Sequence, residues 1–191
     1  MNFFIIMHIE SEGPGSLKTF LESKNFDIQI GRLYAGDPLP DLQSVDGIIS
    51  MGGPMNVYEE EQYPFLKEET DFLKKAIAHD IPILGICLGA QMIAKAAGAP
   101  ITKSPKKEVG WGKIYLNQNG INDILFEGLP PELEVLQWHE DMFHIPEGGL
   151  LLAYSSDCPN QAFRYRNAFG LQFHVEITEN MLADWFSDSP D

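Results

Sequence analysis

A chain of 191 residues is long enough to bury roughly 70% of the surface that its unfolded form exposes, so a full core needs neither disulfides nor a metal. Hydrophobic residues make up 44% and charged residues 21%, which excludes a disordered or low-complexity chain. Lys and Arg number 13 against 28 Asp and Glu, and a net charge of −15 repels phosphate backbones and anionic lipid. Neither nucleic acid nor a membrane surface is therefore expected as a partner.

The opening stretch MNFFIIMHIE lacks a basic flank and a cleavage site and is too short to span a bilayer. It reads as a buried first strand, residues 3–9. Further strands are expected at 27–33, 45–50 and 81–86. Between the last two, Pro64 opens a helix whose apolar stripe is Phe65, Leu66, Phe72, Leu73, Ala76 and Ile77. A second helix is expected from about 89 to 97, closed by Gly98. The basic stretch at 103–107 reads as a solvated loop. From Gly112 onward the spacing predicts short strands at 113–117, 133–138, 150–155, 161–166 and 168–174, then a helix at 179–186. The fold class is α/β: an open, flavodoxin-like mixed sheet with a mostly parallel core, helices on both faces and antiparallel strands in its second half. No repeat or linker appears, so residues 1–191 read as a single domain. Two cysteines, Cys87 and Cys158, make no disulfide framework, and a reducing, cytoplasmic setting is expected.

Gly85-Ile86-Cys87-Leu88-Gly89 joins a buried strand to a helix, the arrangement of a nucleophile elbow with Cys in place of Ser. So tight a turn lets only glycine stand two residues before and after the nucleophile. It also sets the sulfur at a helix N-terminus, which favours the thiolate. A thiol nucleophile needs a base and a group to orient that base. His174 follows the apolar strand at 169–173, and in extended chain Glu176 points to the same side. His139, in Trp138-His139-Glu140-Asp141, is the rival base. Metal ligation by His139, Glu140 and Asp141 is not expected, because consecutive residues cannot face one ion. Cys158 lacks an elbow and reads as structural. Met51-Gly52-Gly53-Pro54 should lie beside the elbow, where one amide and that of Leu88 would form an oxyanion hole.

GGPMNVYEEEQYPFLKEE, PILGICLGAQMIAKAAGA, EVGWGKI, WHEDMFHIPEG, QAF and GLQFHVE resemble the class I glutamine amidotransferases, in the stand-alone branch similar to the glutaminase part of GMP synthase. The resemblance runs over nearly the whole chain. It implies a triad of Cys87, His174 and Glu176, oxyanion donors at Gly53 and Leu88, and substrate contacts from Gly52, Gln91, Trp138, Glu140 and Asp141. Amidating synthases of this superfamily usually carry His-Pro-Glu where this chain has His174-Val175-Glu176. No nucleotide-activating loop of the Ser-Gly-Gly-x-Asp-Ser kind, P-loop or GxGxxG is found, so GMP synthesis by these residues alone is not expected. The chain also ends sooner after its last helix than the resemblance implies.

The reaction expected is attack of the Cys87 thiolate on the γ-amide of glutamine, releasing ammonia through a γ-glutamyl thioester, without metal or organic cofactor. An ammonia-accepting synthase is the partner that this implies. A free-standing γ-glutamyl hydrolase or peptidase would use the same triad, and a non-catalytic binding protein on this fold is the third reading.

Overall fold

The computed structural model describes residues 1–188. Strands β1 (Asn2–Met7), β2 (Asp27–Arg32), β3 (Gly47–Ser50) and β4 (Ile83–Ile86) pair in parallel, with β1 between β2 and β3 and β4 beside β3. All four residues of β3 are buried, as a strand covered on both faces requires. Helices α2 (Phe65–Ala78) and α3 (Leu88–Ala96) cover one face, packing Leu66, Leu73, Met92 and Ile93 on Phe4, Ile48 and Ile83. Helix α1 (Gly15–Ser23) lies in the other core, where Leu21 joins Ile5, Ile49 and Ile86. Leu21 is the one buried residue of α1, too thin a stripe for the spacing to reveal that helix.

The second half of the chain is antiparallel. Strands β5 (Ile101–Leu116) and β6 (Glu132–Phe143) form a long ribbon, followed by the short helix α4 (Gln118–Ile121) in their connection, β7 (Leu150–Tyr154) and β8 (Ala162–Tyr165). Strand β9 (Ala168–Leu171) then returns to pair in parallel with β4. Among the described residues nine strands make one sheet, in the order β2-β1-β3-β4-β9-β8-β7-β5-β6. Helix α5 (Glu179–Asp188) follows. The sheet is the α/β mixture expected, parallel in its first half and antiparallel in its second.

Several boundaries depart from the sequence reading: β1 ends at Met7 and not at residue 9, and β6 runs on to Phe143 where 138 was expected. The basic stretch at 103–107 is part of β5 and not a loop. Its lysines lie opposite acidic residues, Lys103 at 2.8 Å from Asp141, Lys106 at 2.6 Å from Asp157 and Lys107 at 2.7 Å from Glu140. The pairs of Lys103 and Lys107 cross to β6, that of Lys106 reaches the loop after β7, and together they keep a charged segment extended. The strand expected to reach 174 ends at Leu171, and His174 makes a single bridge to Leu136 of β6.

At the C-terminal edge of the parallel strands, β3, β4 and α3 meet at van der Waals limits. A Cβ at Gly89 would overlap the Ser50 carbonyl oxygen, and one at Gly85 would stand 2.5 Å from the Gly89 carbonyl carbon. Gly89→Ala should therefore cost about 3 kcal/mol or more. Gly36→Ala, where φ is +84° and the surroundings are open, should cost about 1 kcal/mol. Urea unfolding of the two variants checks the difference.

Candidate active site

Cys87 stands between β4 and α3 at φ 50° and ψ −106°, a left-handed conformation that a non-glycine residue holds only under constraint. The constraint is visible on both sides. The Cys87 N–H donates to the Leu171 carbonyl of β9 at 2.7 Å, and the Gly89 N–H donates to the Met51 carbonyl at 3.0 Å. The thiol is buried, 3.8 Å from the Trp138 carbonyl oxygen and 3.7 Å from Gln172 Nε2.

His174 and Glu176 are also buried, and His174 Nδ1 lies 2.8 Å from Glu176 Oε1. The second carboxylate oxygen accepts from the Val175 N–H at 2.9 Å, which fixes the carboxylate plane. Backbone position is fixed too, because the Ser16 N–H at the start of α1 donates to the Glu176 carbonyl at 2.8 Å. Burial opposes a charged imidazole at position 174. The hydrogen bonds to Cys87 and Glu176, with their negative charge, prevail and hold the His174 pKa well above its usual value. Trp185 of α5 closes the other side, its ring edge-on to His174 at 4.9 Å and its indole N–H bonded to the Ser11 carbonyl at 3.0 Å.

The Gly52–Gly53 loop faces this pair. A Cβ at Gly52 would overlap the Glu12 carboxylate and stand 3.2 Å from His174 Cε1, and one at Gly53 would stand 2.9 Å from Leu88 Cδ2. Among the described residues, the backbone N–H groups of Gly53 and Leu88 meet no acceptor. Both residues line an open cavity of about 470 Å³, together with Cys87, His174, Glu12, Gln91, Trp138, Glu140 and Asp141. Of the site residues expected from the sequence, Gly52 and Glu176 stay off the wall.

The expected substrate residues are not all free. Gln91 Nε2 donates to the Asp141 carbonyl at 3.2 Å and to Gln172 Oε1 at 3.3 Å. Glu140 pairs with Lys107, and Asp141 with Lys103. His139 has both ring nitrogens engaged, Nδ1 with the Asp141 carbonyl at 3.0 Å and Nε2 with Glu108 at 3.0 Å. Glu108, His139 and Cys158 bring ligand atoms within 4.8 Å of one another, but Ser155 and Gln161 also donate to that carboxylate. The cluster is a hydrogen-bonded brace for the ribbon, and burial pushes the Cys158 thiol pKa up. Glu12 and Trp185 carry no sequence signal; each is a single polar or aromatic residue outside a motif, and only the fold brings it to His174. Gln172 lies within GLQFHVE, and the fold sets its amide beside Cys87.

The family model for glutamine amidotransferase class-I matches residues 16–184. The chain belongs to that family. It is 32% identical over 183 residues, 93% of its length, to the putative glutamine amidotransferase-like protein YfeJ of Salmonella typhimurium, of which it covers 77%. It is 37% identical over 140 residues to the GMP synthase of Thermosipho africanus. That match takes in 72% of this chain and 25% of the synthase, so the chain spans about a quarter of such relatives. A glutamine amidotransferase structure from Thermotoga maritima superposes with a TM-score of 0.93 at 33% identity, covering 100% of this chain and 82% of that one. A glutamine amidotransferase structure from Methylobacillus flagellatus gives 0.92 at 33% identity, over 99% and 76%. Among the described residues, no helix is long and apolar enough to cross a membrane.

The raised His174 pKa gives this family member a pH signature. A histidine protonated more readily in the folded than in the unfolded chain contributes stability in full below the unfolded value, about 6.5. That contribution is lost as pH rises through the folded value. The urea midpoint should fall on the alkaline side of neutrality, and His174→Gln should flatten the fall. His8, whose pKa is also raised, contributes to the slope that remains, and at higher pH so does the Cys158 thiol, which burial also raises.

Proposed function

We propose that Cys87, His174 and Glu176 hydrolyse the γ-amide of glutamine or of a γ-glutamyl compound. The observation that carries this reading is a thiol at a strained helix N-terminus, on the same cavity wall as an imidazole whose Nδ1 is held by a buried carboxylate. With Nδ1 turned to Glu176, Nε2 is the nitrogen left for the thiol and the substrate. The Cys87 thiolate adds to the amide carbon, and the N–H groups of Gly53 and Leu88 receive the oxyanion. The imidazolium Nε2–H passes its proton to the departing nitrogen, and the C–N bond breaks to leave a γ-glutamyl thioester. Water then gives a proton to Nε2 and adds to the thioester, and the thiolate leaves. Glu176 stays ionised throughout and keeps the ring in one tautomer. Gln91, with Nε2 committed, offers Oε1 to an ammonium group of the substrate.

Glutamine hydrolysis would supply ammonia, and an acceptor-activating site must lie outside the motifs of these residues. The named synthase relatives are about four times as long as the matched segment. A second reading, a hydrolase of larger γ-glutamyl amides, is favoured by the cavity. About 470 Å³ is more than free glutamine fills, and the wall includes Glu12 and the Lys103 and Lys107 side chains beyond the thiol.

Cys87→Ser should lower turnover by about four orders of magnitude or more, with the fold intact. Cys158→Ser should be silent. Glu176→Gln should be damaging but less so, and His139→Ala should act mainly on KM. Steady-state rates on glutamine and a panel of γ-glutamyl peptides check this. Full activity of Cys87→Ser, or a dead Cys158→Ser protein, would remove the elbow from the chemistry.

A further inference from the structure

Three polar side chains are buried behind the Gly52–Gly53 loop: His8 just after β1, Ser50 at the end of β3 and Glu69 on α2. Together they form one hydrogen-bonded path. Ser50 Oγ donates to Glu69 Oε1 at 2.6 Å, Glu69 Oε2 lies 2.7 Å from His8 Nε2, and His8 Nδ1 lies 2.9 Å from the Gly52 carbonyl oxygen. The triad chemistry uses none of them.

The proton positions follow from what each group can do. A carbonyl oxygen only accepts, so His8 Nδ1 carries a proton and donates it to Gly52. Nε2 faces a carboxylate oxygen, so one proton lies between His8 and Glu69. Burial works against charge on His8, while the charge and hydrogen bond of Glu69, the Gly52 carbonyl and then Glu12 raise its pKa. The ring is thereby held in one orientation.

The Gly52 carbonyl and the Gly53 N–H belong to the same peptide unit, and in a trans peptide they point in opposite directions. A carbonyl drawn towards His8 therefore turns the Gly53 N–H away from His8, on the side where Gly53 and Leu88 line the cavity. Two consecutive glycines put little steric resistance in the way of the opposite peptide orientation, so something else must choose. We propose that His8, backed by Glu69 and Ser50, is a positioning residue that sets the Gly52–Gly53 peptide so that the Gly53 N–H can receive the oxyanion. The proposal rests on the thiol chemistry given above.

Two variants separate the two bonds of His8. The side-chain nitrogen of His8→Asn falls where Nδ1 stood, and that of His8→Gln falls nearer Nε2. His8→Gln should lose about 10²–10³-fold in kcat, the loss seen when one oxyanion donor is removed, with KM changed little. His8→Asn should stay within about tenfold of the unchanged protein. Both should melt lower by similar amounts, since each loses one buried bond. Alkylation of Cys87 by iodoacetamide displaces iodide at a saturated carbon and forms no oxyanion, so its rate should hold in both variants. Unchanged kcat in His8→Gln, equal kcat losses in the two, or an alkylation rate that falls with kcat would each overturn the proposal. If the unchanged protein hydrolyses neither glutamine nor any γ-glutamyl peptide, the triad reading fails on its own account. A crystal structure of His8→Gln then decides the positioning role: a reoriented Gly52–Gly53 peptide supports it, and the original orientation sinks it.

Discussion

No side chain fits between residue 89 and the carbonyl of Ser50, and the placement of the thiol follows from that contact. Because Gly89 is bare, the first turn of α3 can lie directly on the end of β3. Helix α3 then begins at once after β4, and the one residue between them is forced to φ 50°. That residue is Cys87. In the N-terminal turn of the helix, next to the sulfur, the Leu88 N–H meets no acceptor among the described residues. Strand order does the rest, since β9 runs beside β4 and delivers His174 three residues beyond its last paired position.

Charge on the whole molecule and charge at the site work separately. The net −15 is spread over the surface and screened within about 8 Å at physiological salt. At the buried centre, the local balance is set by contacts of about 3 Å. Glu176 meets His174, Glu69 meets His8, and the rim acids Glu140 and Asp141 are matched by Lys107 and Lys103. Glu12 is the exception on the cavity wall. No hydrogen bond or ion pair engages its carboxylate among the described residues, and burial raises its pKa against the pull of His174 and His8.

What could be read from the residues was what short-range spacing carries. Two glycines flanking Cys87 at fixed distance signalled the elbow, and the i to i+2 step placed Glu176 on the side of His174. Strands β1, β3 and β4 were legible because they are largely apolar on both faces, and β2, at the edge, because it alternates polar and apolar residues. The extension of β5 through residues 103–107 was not, because its lysines pair with distant acids, Glu140 and Asp141 on β6 and Asp157 beyond β7. Nor was the bonding of His8, which falls inside the first expected strand. Its partners, Glu69 and the Gly52 carbonyl, are 61 and 44 positions distant, and Glu69 shows only as one acid among several on an amphipathic helix. Long-range pairing of single polar residues leaves no periodic trace.

The place of β9 in the middle of the sheet has a consequence for biosynthesis. The first four strands leave the ribosome as a parallel set whose β4 edge is open until residue 171 has been made. At roughly 5–20 residues per second that interval lasts several seconds. Throughout it the Cys87 N–H lacks the Leu171 carbonyl that anchors it, and His174 has not been made. The nascent protein therefore carries an apolar, unpaired strand edge next to a cysteine that has yet to meet His174. Its main hazard on the ribosome is edge-to-edge association with other chains rather than premature chemistry.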